Sequence, residues 1–464
     1  MKPFLRSLFV VALAFPLASA CTVDNRLGRD AGGGGGTDGG MGMADTGVPP
    51  GPAIDYARVT GTVWAPGNGP GQVPAGHEIP VFDALVRVTP TRPQPIPDTV
   101  YCEQCVETTG PNARTSHDGT FEVGSIVPGT YWVTIEKGQF QVTRQVTFAD
   151  GEVTNLTPDM TTLPSVHDPA NGLTIPSIAI AAGAHDHLED VIGKMGIGGV
   201  DTSYEWNQTN DGRVHVYDNG GRSYTDQGSL ESLVRDLNRM MQYHIIFIPC
   251  AGSSNTSALQ DQAVLQNLRA YVAAGGKLYV TDWSGEWMDN VFPAHVDLGP
   301  GEDTPGTAYD PETNTWNTSQ FGDANGSLYN SDDAEVVDDD LHTWLSGQMG
   351  PTPDDGPIQT YNPDLFEVVD NWNYIANVNR VQVGFDDEGL PVTDEPVAYV
   401  IGSGASEPGK HPLTVTFEPA GCGRVMYSTY HTTPNEHEGL VPQERILLYL
   451  IMEIGVCKTG PILI

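Results

Sequence analysis

Two kinds of hydrophobic pattern divide the chain. Between about residues 55 and 165, short runs alternate apolar with polar residues and are separated by Gly, Pro and Asp. This alternation is typical of β-strands. The runs read ARVTGTVWAP, ALVRVTP, GTFEVGSI, GTYWVTIEKG and FQVTRQVTF. Several strands at this spacing predict an all-β sandwich over residues 55–165.

The pattern changes after about residue 172. Apolar strand-like runs (IPSIAIAAG, RVHVYD, HIIFIP, KLYVTD) now alternate with segments whose apolar residues recur every three or four positions. Asp186 and Glu189 have the spacing of a capping box at the start of the first helix. We expect a second helix over residues 230–241 and a third that begins near Ser257. This alternation predicts an α/β domain over residues 172–464, with a parallel sheet covered by helices on both faces.

A long acidic insertion interrupts this domain at residues 294–410. It is rich in Asp, Asn, Gly and Thr, and we expect a loop-rich elaboration over the sheet edge where function would lie. The segment DANGSLYNSDD has alternating oxygen ligands, but it lacks the Gly and Glu that an EF-hand requires at its sixth and twelfth positions. A solvated acidic loop is therefore expected there.

The N-terminus predicts export. Residues 1–20 begin with the basic stretch MKPFLR, continue through an apolar core over residues 8–17, and end in small residues. A signal peptide has this order of segments, and the apolar core is too short for a membrane span.

The residues before Cys21 resemble the lipobox of bacterial lipoproteins. The sequence is Ala18-Ser19-Ala20-Cys21, with Leu17 one position earlier than the leucine of the usual box. The resemblance implies that Cys21 is acylated after cleavage. Thr22 in place of Asp implies passage to the outer membrane. Ordinary secretion with cleavage near Ala20 is the alternative.

The segment after the signal peptide has a composition of its own. Residues 21–54 hold almost no large apolar side chains and many glycines, which predicts a flexible tether. The whole chain has 22 Lys and Arg against 59 Asp and Glu, a net charge of −37. Nucleic acid and anionic membrane surfaces are therefore excluded as expected partners.

The β-rich block resembles the carboxypeptidase regulatory-like domain, a transthyretin-like module. The resemblance rests on an ordered set of turns and strands and covers about a quarter of the chain: Gly61-Thr62-Val63, Ala84-Leu85-Val86, Asp118-Gly119-Thr120-Phe121 and Pro128-Gly129-Thr130-Tyr131. It implies a spacer or binding role without catalytic residues.

The second block resembles the class I glutamine amidotransferase-like superfamily. The resemblance rests on the segments LRAYVAAGGKLYVTDW and GCGRVMYSTYH, the latter followed by PQERILLYLIMEI. The resemblance implies a flavodoxin-like fold. Trp283 stands where that family has its nucleophilic cysteine. His431 matches the histidine of the family's His-x-Glu pair, but the glutamate is displaced to Glu436 or Glu438. Glutamine hydrolysis is therefore not expected.

Polar residues follow several of the predicted strands. In an open parallel sheet, ligands bind beyond the carboxyl ends of the strands. The residues expected there are His185, Asp186, Cys250, Asp282 and His431. Cys250 is a candidate nucleophile with His431 as its base and Glu436 as an orienting group. The alternative is that Cys250 is a buried packing residue.

The same edge offers weaker signals for other chemistry. His185 and His187 are suitable zinc ligands in type, but two histidines with one residue between them are a weak signal, and the carboxyl of Asp186 is explained as a helix cap. No metal and no cofactor is predicted.

The remaining cysteines are expected to form disulfides in an oxidising compartment. Cys102 and Cys105 form a C-x-x-C pair without the following βα unit of a redox protein, which predicts a local bridge. Cys422 and Cys457 are expected to meet at the amino edge of the sheet. Cys250 would then be the remaining free thiol.

Three functions fit these patterns. The first is a non-catalytic outer-membrane lipoprotein, attached to the membrane by its lipid anchor, whose α/β domain binds a ligand, a glycan or a protein partner. The second is a hydrolase that uses Cys250 and His431, or a metal. The third is a purely structural protein. An aromatic or apolar patch would favour the first, and a meeting of Cys250 with His431 in a crevice the second.

Overall fold

The structure is a computed structural model. It describes residues 55–454 apart from 103–108, 208–211, 222–226, 252–255, 299–308, 311–314, 317–328, 353–355, 387, 404–408, 420–421 and 433–436. The described residues all belong to one compact unit. The expected signal peptide, Cys21 and the tether over 21–54 lie outside the described residues. Within the described ranges, no helix is both long and apolar enough to span a membrane.

The first block is β-rich, as its alternating pattern predicts. Its strands are β1 (Ala57–Thr62), β2 (Leu85–Thr89), β3 (Asn112–Arg114), β4 (Thr120–Ile126), β5 (Gly129–Lys137), β6 (Phe140–Phe148), β7 (Val153–Asn155) and β8 (Leu173–Thr174), with one short helix, α1 (Pro158–Thr161). They form two sheets, with strand orders β4-β1-β7 and β3-β2-β5-β6-β8. Alternate residues of both sheets, such as Val59 and Val86, are buried in one core. All five runs expected to be strands are strands.

The second block begins with alternating strands and helices. In chain order these are β9 (Ile178–Ala182), α2 (Leu188–Lys194), β10 (Val214–Asp218), α3 (Leu230–Val234), α4 (Leu237–Met240), β11 (Ile245–Ile248), α5 (Thr256–Leu259), α6 (Gln262–Ala273), β12 (Lys277–Thr281) and α7 (Glu286–Asp289). The 3-10 turn Asp282–Gly285 joins β12 to α7.

The insertion over 294–410 supplies further strands. Its elements are β13 (Val296–Leu298), β14 (Tyr309–Asp310), β15 (Thr315–Trp316), β16 (Tyr329–Val336), α8 (Asp339–Ser346), β17 (Met349–Gly350), β18 (Gln359–Thr360), β19 (Phe366–Asn371), β20 (Ile375–Val378), β21 (Val381–Phe385), β22 (Pro391–Asp394) and β23 (Val397–Ser403). The chain then returns through β24 (Lys410–Phe417), β25 (Arg424–Ser428) and α9 (Pro442–Ile454).

One mixed sheet of nine strands organises this second block. Its order is β10-β9-β11-β12-β25-β24-β23-β16-β19. The first five strands are parallel and, in chain order, run 2-1-3-4-5, a common order of doubly wound sheets. The other four are antiparallel. The expectation of a loop-rich insertion is therefore wrong in part, because β16, β19 and β23 extend the sheet.

Helices cover both faces of the parallel half. Along β11, Ile245 and Phe247 belong to one buried core and Ile246 and Ile248 to another, because successive strand residues face opposite ways. Helices α2 and α9 contribute to the first core, and α3 and α6 to the second. This arrangement agrees with the predicted α/β pattern.

Three of the predicted helices differ from prediction in their boundaries or caps. The expected helix over 230–241 is two helices, because Asp236 caps α4 by accepting from the amide of Arg239. The helix expected from near Ser257 is also two helices, the short α5 from Thr256 and α6, which begins at Gln262 behind the cap Asp261. Asp186 does not cap α2, whose N-cap residue is His187. Its carboxylate instead accepts hydrogen bonds from residues that are distant in the sequence.

The expected disulfide pairing is wrong. Cys102 is bonded to Cys422, with their Cα atoms 5.2 Å apart. The segment before Cys102 packs on the amino edge of the sheet, where a Cβ on Gly275 would lie 2.1 Å from the carbonyl oxygen of Tyr101. That packing brings Cys102 beside Cys422, which the sequence spacing could not show. Cys105 and Cys457 lie outside the described residues.

The two blocks also meet through side chains. The indole N–H of Trp344 donates to the carbonyl of Pro80 at 2.8 Å, and the buried Lys137 lies 2.6 Å from Glu453. The β-rich block is therefore held against α8 and α9.

Candidate functional site

Three residues that follow neighbouring parallel strands meet at the carboxyl edge of the sheet. Cys250 follows β11, Asp282 follows β12 and His431 follows β25. Because these strands are adjacent in the order β11-β12-β25, the three side chains converge. One sulfur, nitrogen or oxygen atom of each lies within 4.8 Å of the others. We call these residues the Cys–Asp–His cluster.

Asp282 is the central member of the cluster. It begins the turn after β12 with φ at 46°, in the left-handed region that aspartate tolerates better than most residues. One carboxylate oxygen, Oδ2, accepts from the amide of Trp372 at 2.9 Å and lies 3.0 Å from Nε2 of His431. Its main-chain carbonyl accepts from the hydroxyl of Tyr427 at 3.0 Å. Its position is therefore held from two other segments of the fold.

His431 is held by its main chain. Its amide donates to the carbonyl of Asp370 at 3.1 Å, and its carbonyl accepts from the side chain of Gln443 at 2.6 Å. The ring is buried and stacks on Trp372, with centroids 6.4 Å apart and planes 12° apart. The insertion, through Asp370 and Trp372, thus builds one wall of the site.

Cys250 is a buried thiol, 1% exposed and not disulfide-bonded. Its amide donates to the hydroxyl of Thr281 at 2.9 Å, and that hydroxyl donates to Asp186 at 2.6 Å. The main chain after β9 approaches closely here, because a Cβ on Gly183 would lie 2.1 Å from the carbonyl oxygen of Cys250. Glycine is thus required at position 183 for Cys250 to occupy this place.

Asp186 anchors two of the loops that carry the cluster. Its Oδ2 accepts from Thr281, and its Oδ1 accepts from both the amide and the hydroxyl of Thr432, at 3.1 and 2.5 Å. It is fully buried. Its role is therefore to join the ends of β9, β12 and β25, which explains why it does not cap α2.

Burial dominates the protonation of the cluster. It raises the pKa of Asp282 to about 7, although the neighbouring His431 opposes the shift. Burial also raises the pKa of the Cys250 thiol, again against His431. Burial alone would lower the pKa of His431, but the adjacent Asp282 and Cys250 raise it well above its ordinary value. Burial therefore favours the thiol form of Cys250, while Asp282 and His431 each favour the charged form of the other.

Some polar atoms of the cluster have no hydrogen-bond partner among the described residues. They are Oδ1 of Asp282 and Nε2 of His431. The 3.0 Å contact between His431 and Asp282 is thus a close ionic approach without hydrogen-bond geometry. Buried polar atoms of this kind are unfavourable in a folded protein and often mark a functional site.

An aromatic surface lies over the cluster. Trp283 is 36% exposed, His185 is exposed and Trp372 is half-buried. The centroid of the Trp283 ring is 6.2 Å from that of His185 and 5.1 Å from that of Trp372, both in edge-on contact. We call His185, Trp283 and Trp372 the aromatic edge. It presents a mixed apolar and polar surface beyond the strand ends.

The structure places the other predicted residues less centrally. Among the described residues, the metal-type cluster does not include His185 or His187; His187 lies 3.9 Å from Asp190. Glu436, the expected orienting group, lies outside the described residues, and Glu438 is exposed. The carboxylate that contacts His431 is Asp282. Asp282 was expected at this edge of the sheet, but no role beside His431 was predicted for it, although its place after β12 was a signal for this role.

Comparisons with known proteins give distant likenesses. No family model and no curated protein matches the chain. A putative ThuA-like protein of Bacteroides uniformis is 11% identical, with a TM-score of 0.32 over 64% of this chain and 98% of that one. A cytoplasmic protein of Salmonella typhimurium is 14% identical, with a TM-score of 0.29 over 61% and 97%. A minor pilin of Streptococcus agalactiae is 12% identical, with a TM-score of 0.16; the match covers 25% of this chain and 47% of the pilin.

Proposed function

We propose that this chain is a non-catalytic cell-envelope lipoprotein that binds a glycan at the aromatic edge. The observation that carries the proposal is the exposed face of Trp283 beside Trp372, beyond the carboxyl ends of a doubly wound sheet. A sugar ring has an apolar C–H face that packs on an aromatic ring, while its hydroxyls need polar partners. The exposed imidazole of His185 can supply one such partner.

The state of Cys250 favours binding over catalysis. A cysteine nucleophile acts as a thiolate, and burial keeps this thiol protonated at neutral pH. The turn Thr281–Gly285 has Trp283 where an amidotransferase has its cysteine. We therefore infer that the α/β block is a flavodoxin-like, amidotransferase-like domain without glutamine hydrolysis. We infer also that the β-rich block is a transthyretin-like spacer.

Glycan binding can be tested by titrating the purified chain with a panel of soluble oligosaccharides and following tryptophan fluorescence. Trp283→Ala should weaken binding by at least about tenfold, since loss of a stacked ring removes a contact of about 1.4 kcal/mol or more. Trp283→Phe should retain most of the affinity. Trp132→Ala is the matched control, because Trp132 is a half-buried tryptophan of the β-rich block. Equal binding by wild type and Trp283→Ala would contradict the proposal.

The envelope location is supported by residues 1–20 and the lipobox-like segment before Cys21. Cells expressing the chain can be labelled with a fatty-acid analogue and fractionated. The wild type should be labelled and should sediment with outer membranes, whereas Cys21→Ser should be unlabelled and appear in soluble fractions. Identical fractionation of both proteins would contradict lipid anchoring.

A hydrolase is the second candidate. It is favoured by the assembly of a thiol, an imidazole and a carboxylate at 4.8 Å or less, the set that activates cysteine nucleophiles. A panel of ester and amide substrates tests it. Turnover that is lost in Cys250→Ala, but retained in Trp283→Phe, would replace the binding proposal with this one.

A further inference from the structure

The Cys–Asp–His cluster has the composition of a metal site. A thiolate, an imidazole and a carboxylate are the ligand types that proteins use for zinc. They come from the ends of three adjacent strands, and all three residues are at least 95% buried. We propose that Cys250, Asp282 and His431 bind one zinc ion. This inference does not depend on glycan binding.

The unpartnered atoms point to a ligand inside the cluster. Oδ1 of Asp282 and Nε2 of His431 are buried, and neither has a hydrogen-bond partner among the described residues, although Nε2 lies 3.0 Å from Oδ2 of Asp282. Both are atoms that can donate a lone pair to a metal when the imidazole is neutral. A bound cation would satisfy both at once. A purely structural cluster gains nothing from leaving them unsatisfied.

The distances are compatible with one ion. Zinc bonds of about 2.0 Å to nitrogen or oxygen and about 2.3 Å to sulfur place ligand atoms about 3.5 Å apart in a tetrahedron. The atoms of the cluster lie within 4.8 Å of one another, and His431 is already 3.0 Å from Asp282. Movement of about 1 Å in the side chains is enough to close the cluster around an ion.

Charge in and around the cluster favours a cation. A second buried carboxylate, Asp186, lies behind Asp282 and accepts from the hydroxyl of Thr281, the residue before Asp282. A divalent cation would replace the protons of Cys250 and His431 and offset the charge of the carboxylates. The same burial that opposes a thiolate without metal would strengthen its attraction to zinc.

Each of the three proposed ligand residues is held by a hydrogen bond with a neighbouring residue. Thr281 holds the amide of Cys250, Trp372 holds Asp282, and Gln443 holds the carbonyl of His431. The contact from Trp372 reaches the ligating carboxylate itself, and outer contacts of that kind typically account for about 10- to 100-fold in metal affinity. Three protein ligands leave a further coordination position, as in zinc sites that accept water or a ligand oxygen.

The test uses the purified chain, without a histidine tag, after removal of metals with a chelator. Zinc should bind at one ion per chain, and cobalt should give a sulfur-to-cobalt charge-transfer band in the near ultraviolet. Cys250→Ser should abolish the band. Asp282→Asn and His431→Gln should each weaken zinc binding by more than the roughly 100-fold that loss of an outer contact costs. His411→Gln, a half-buried histidine beside Tyr374, should bind as wild type.

Two further measurements keep the result decisive. Near-ultraviolet circular dichroism of each variant without metal shows whether it is folded. If a variant is not, the wild type alone decides, because zinc must raise its melting temperature and a chelator must reverse the shift. Absence of a cobalt–sulfur band in the wild type, or unchanged zinc affinity in folded Cys250→Ser, would overturn the proposal. Trp283→Ala should bind zinc normally, which separates this site from the aromatic edge.

Discussion

The two edges of the parallel sheet differ in whether their buried polar side chains have hydrogen-bond partners. At the amino edge, His244 accepts from the amide of Ser177 through Nδ1 at 2.8 Å and donates from Nε2 to the carbonyl of Pro97 at 2.8 Å. The hydroxyl of Tyr271 contacts the carbonyls of Tyr243, His244 and Lys277 at 3.0 to 3.1 Å. Each of these side chains is fully buried and fully partnered.

At the carboxyl edge, Asp282 and His431 are as deeply buried but keep unsatisfied atoms within the described structure. The disulfide Cys102–Cys422 lies at the amino edge, and a free thiol, Cys250, lies at the carboxyl edge. Natural proteins depart from complete polar satisfaction mainly at functional sites. The partnered side chains at the amino edge therefore stabilise the fold, whereas the buried atoms without partners at the carboxyl edge reduce its stability.

Loss of the disulfide should have the largest effect on stability. Cys102 and Cys422 are 320 residues apart, so their bond restricts the unfolded chain strongly, and the double variant Cys102→Ser/Cys422→Ser should lose up to about 5 kcal/mol. Urea unfolding of oxidised wild type and variant measures this difference. Peptide mapping of the wild type must recover the Cys102–Cys422 cross-link. Equal urea midpoints would show that the amino edge does not depend on the bond.

His244 should make stability depend on pH. Burial, reinforced by Lys277, lowers its pKa from 6.5 to about 4, and the neutral ring is the form that can accept from Ser177. Between pH 6.5 and 4 the unfolded chain binds more protons than the folded chain. The free energy of unfolding should therefore decrease by about 3 kcal/mol in total as the pH is lowered from 6.5 to 4. The contribution is present above pH 6.5.

The measurement is the difference in unfolding free energy between wild type and His244→Gln at pH 7 and pH 4. That difference should shrink by about 3 kcal/mol at the lower pH. His342→Gln, which replaces an exposed histidine, is the control and should track the wild type. A constant difference between wild type and His244→Gln would contradict a neutral, buried His244.

Substitution of Cys250 should cost less. In chelator, Cys250→Ala removes one buried sulfur without breaking a disulfide, and the free energy of unfolding should fall by about 1 kcal/mol. Alkylation of wild-type Cys250 at neutral pH should be slow until the protein unfolds, because the thiol is buried and its pKa is raised. Rapid labelling at mildly acid pH, slowed by His431→Ala, would instead indicate a nucleophile and favour the hydrolase.

The aromatic edge should contribute least to stability. Trp283→Phe retains an aromatic face at a position that is 36% exposed, and the unfolding free energy should change by about 0.5 kcal/mol or less. Thermal unfolding measures the change. A loss as large as that of the disulfide variant would mean that Trp283 is a core residue, and the contrast between the two edges would fail.

Local patterns were enough to predict the main strands of the first block and the first parallel strands of the second. The alternating runs of the first block and the parallel strands β9, β10, β11 and β12 lie where apolar periodicity placed them. The placement of Cys250 and His431 at one edge followed from strand direction alone. The positions of the strands and of the residues at their ends depend on the local sequence and on the general rules of parallel sheets. Both can be applied to a single sequence.

Long-range partners could not be predicted in the same way. Asp186 has the local signature of a helix cap, yet its hydrogen-bond partner Thr432 is 246 residues away. Cys102 has a cysteine three residues away, yet it bonds to Cys422. In both cases a tertiary contact outweighs a local one, because packing determines which groups are close. Strand β16 (YNSDDAEV) was missed because its Asp- and Asn-rich composition conceals a strand pattern. Strands β21 (VQVGF) and β23 (VAYVIGS) do have an apolar strand pattern, which the acidic composition of the surrounding insertion outweighed.

The bond between Cys102 and Cys422 also bears on what proteolysis can do to the molecule. Most of the described chain, including β3 to β24, lies between these two cysteines. A protease that cuts any single peptide bond in that span leaves both pieces covalently joined. A nicked molecule would keep the strand pairs and both sides of the site together and would run as two bands only on a reducing gel. The cross-link thus confers tolerance of damage in addition to thermodynamic stability.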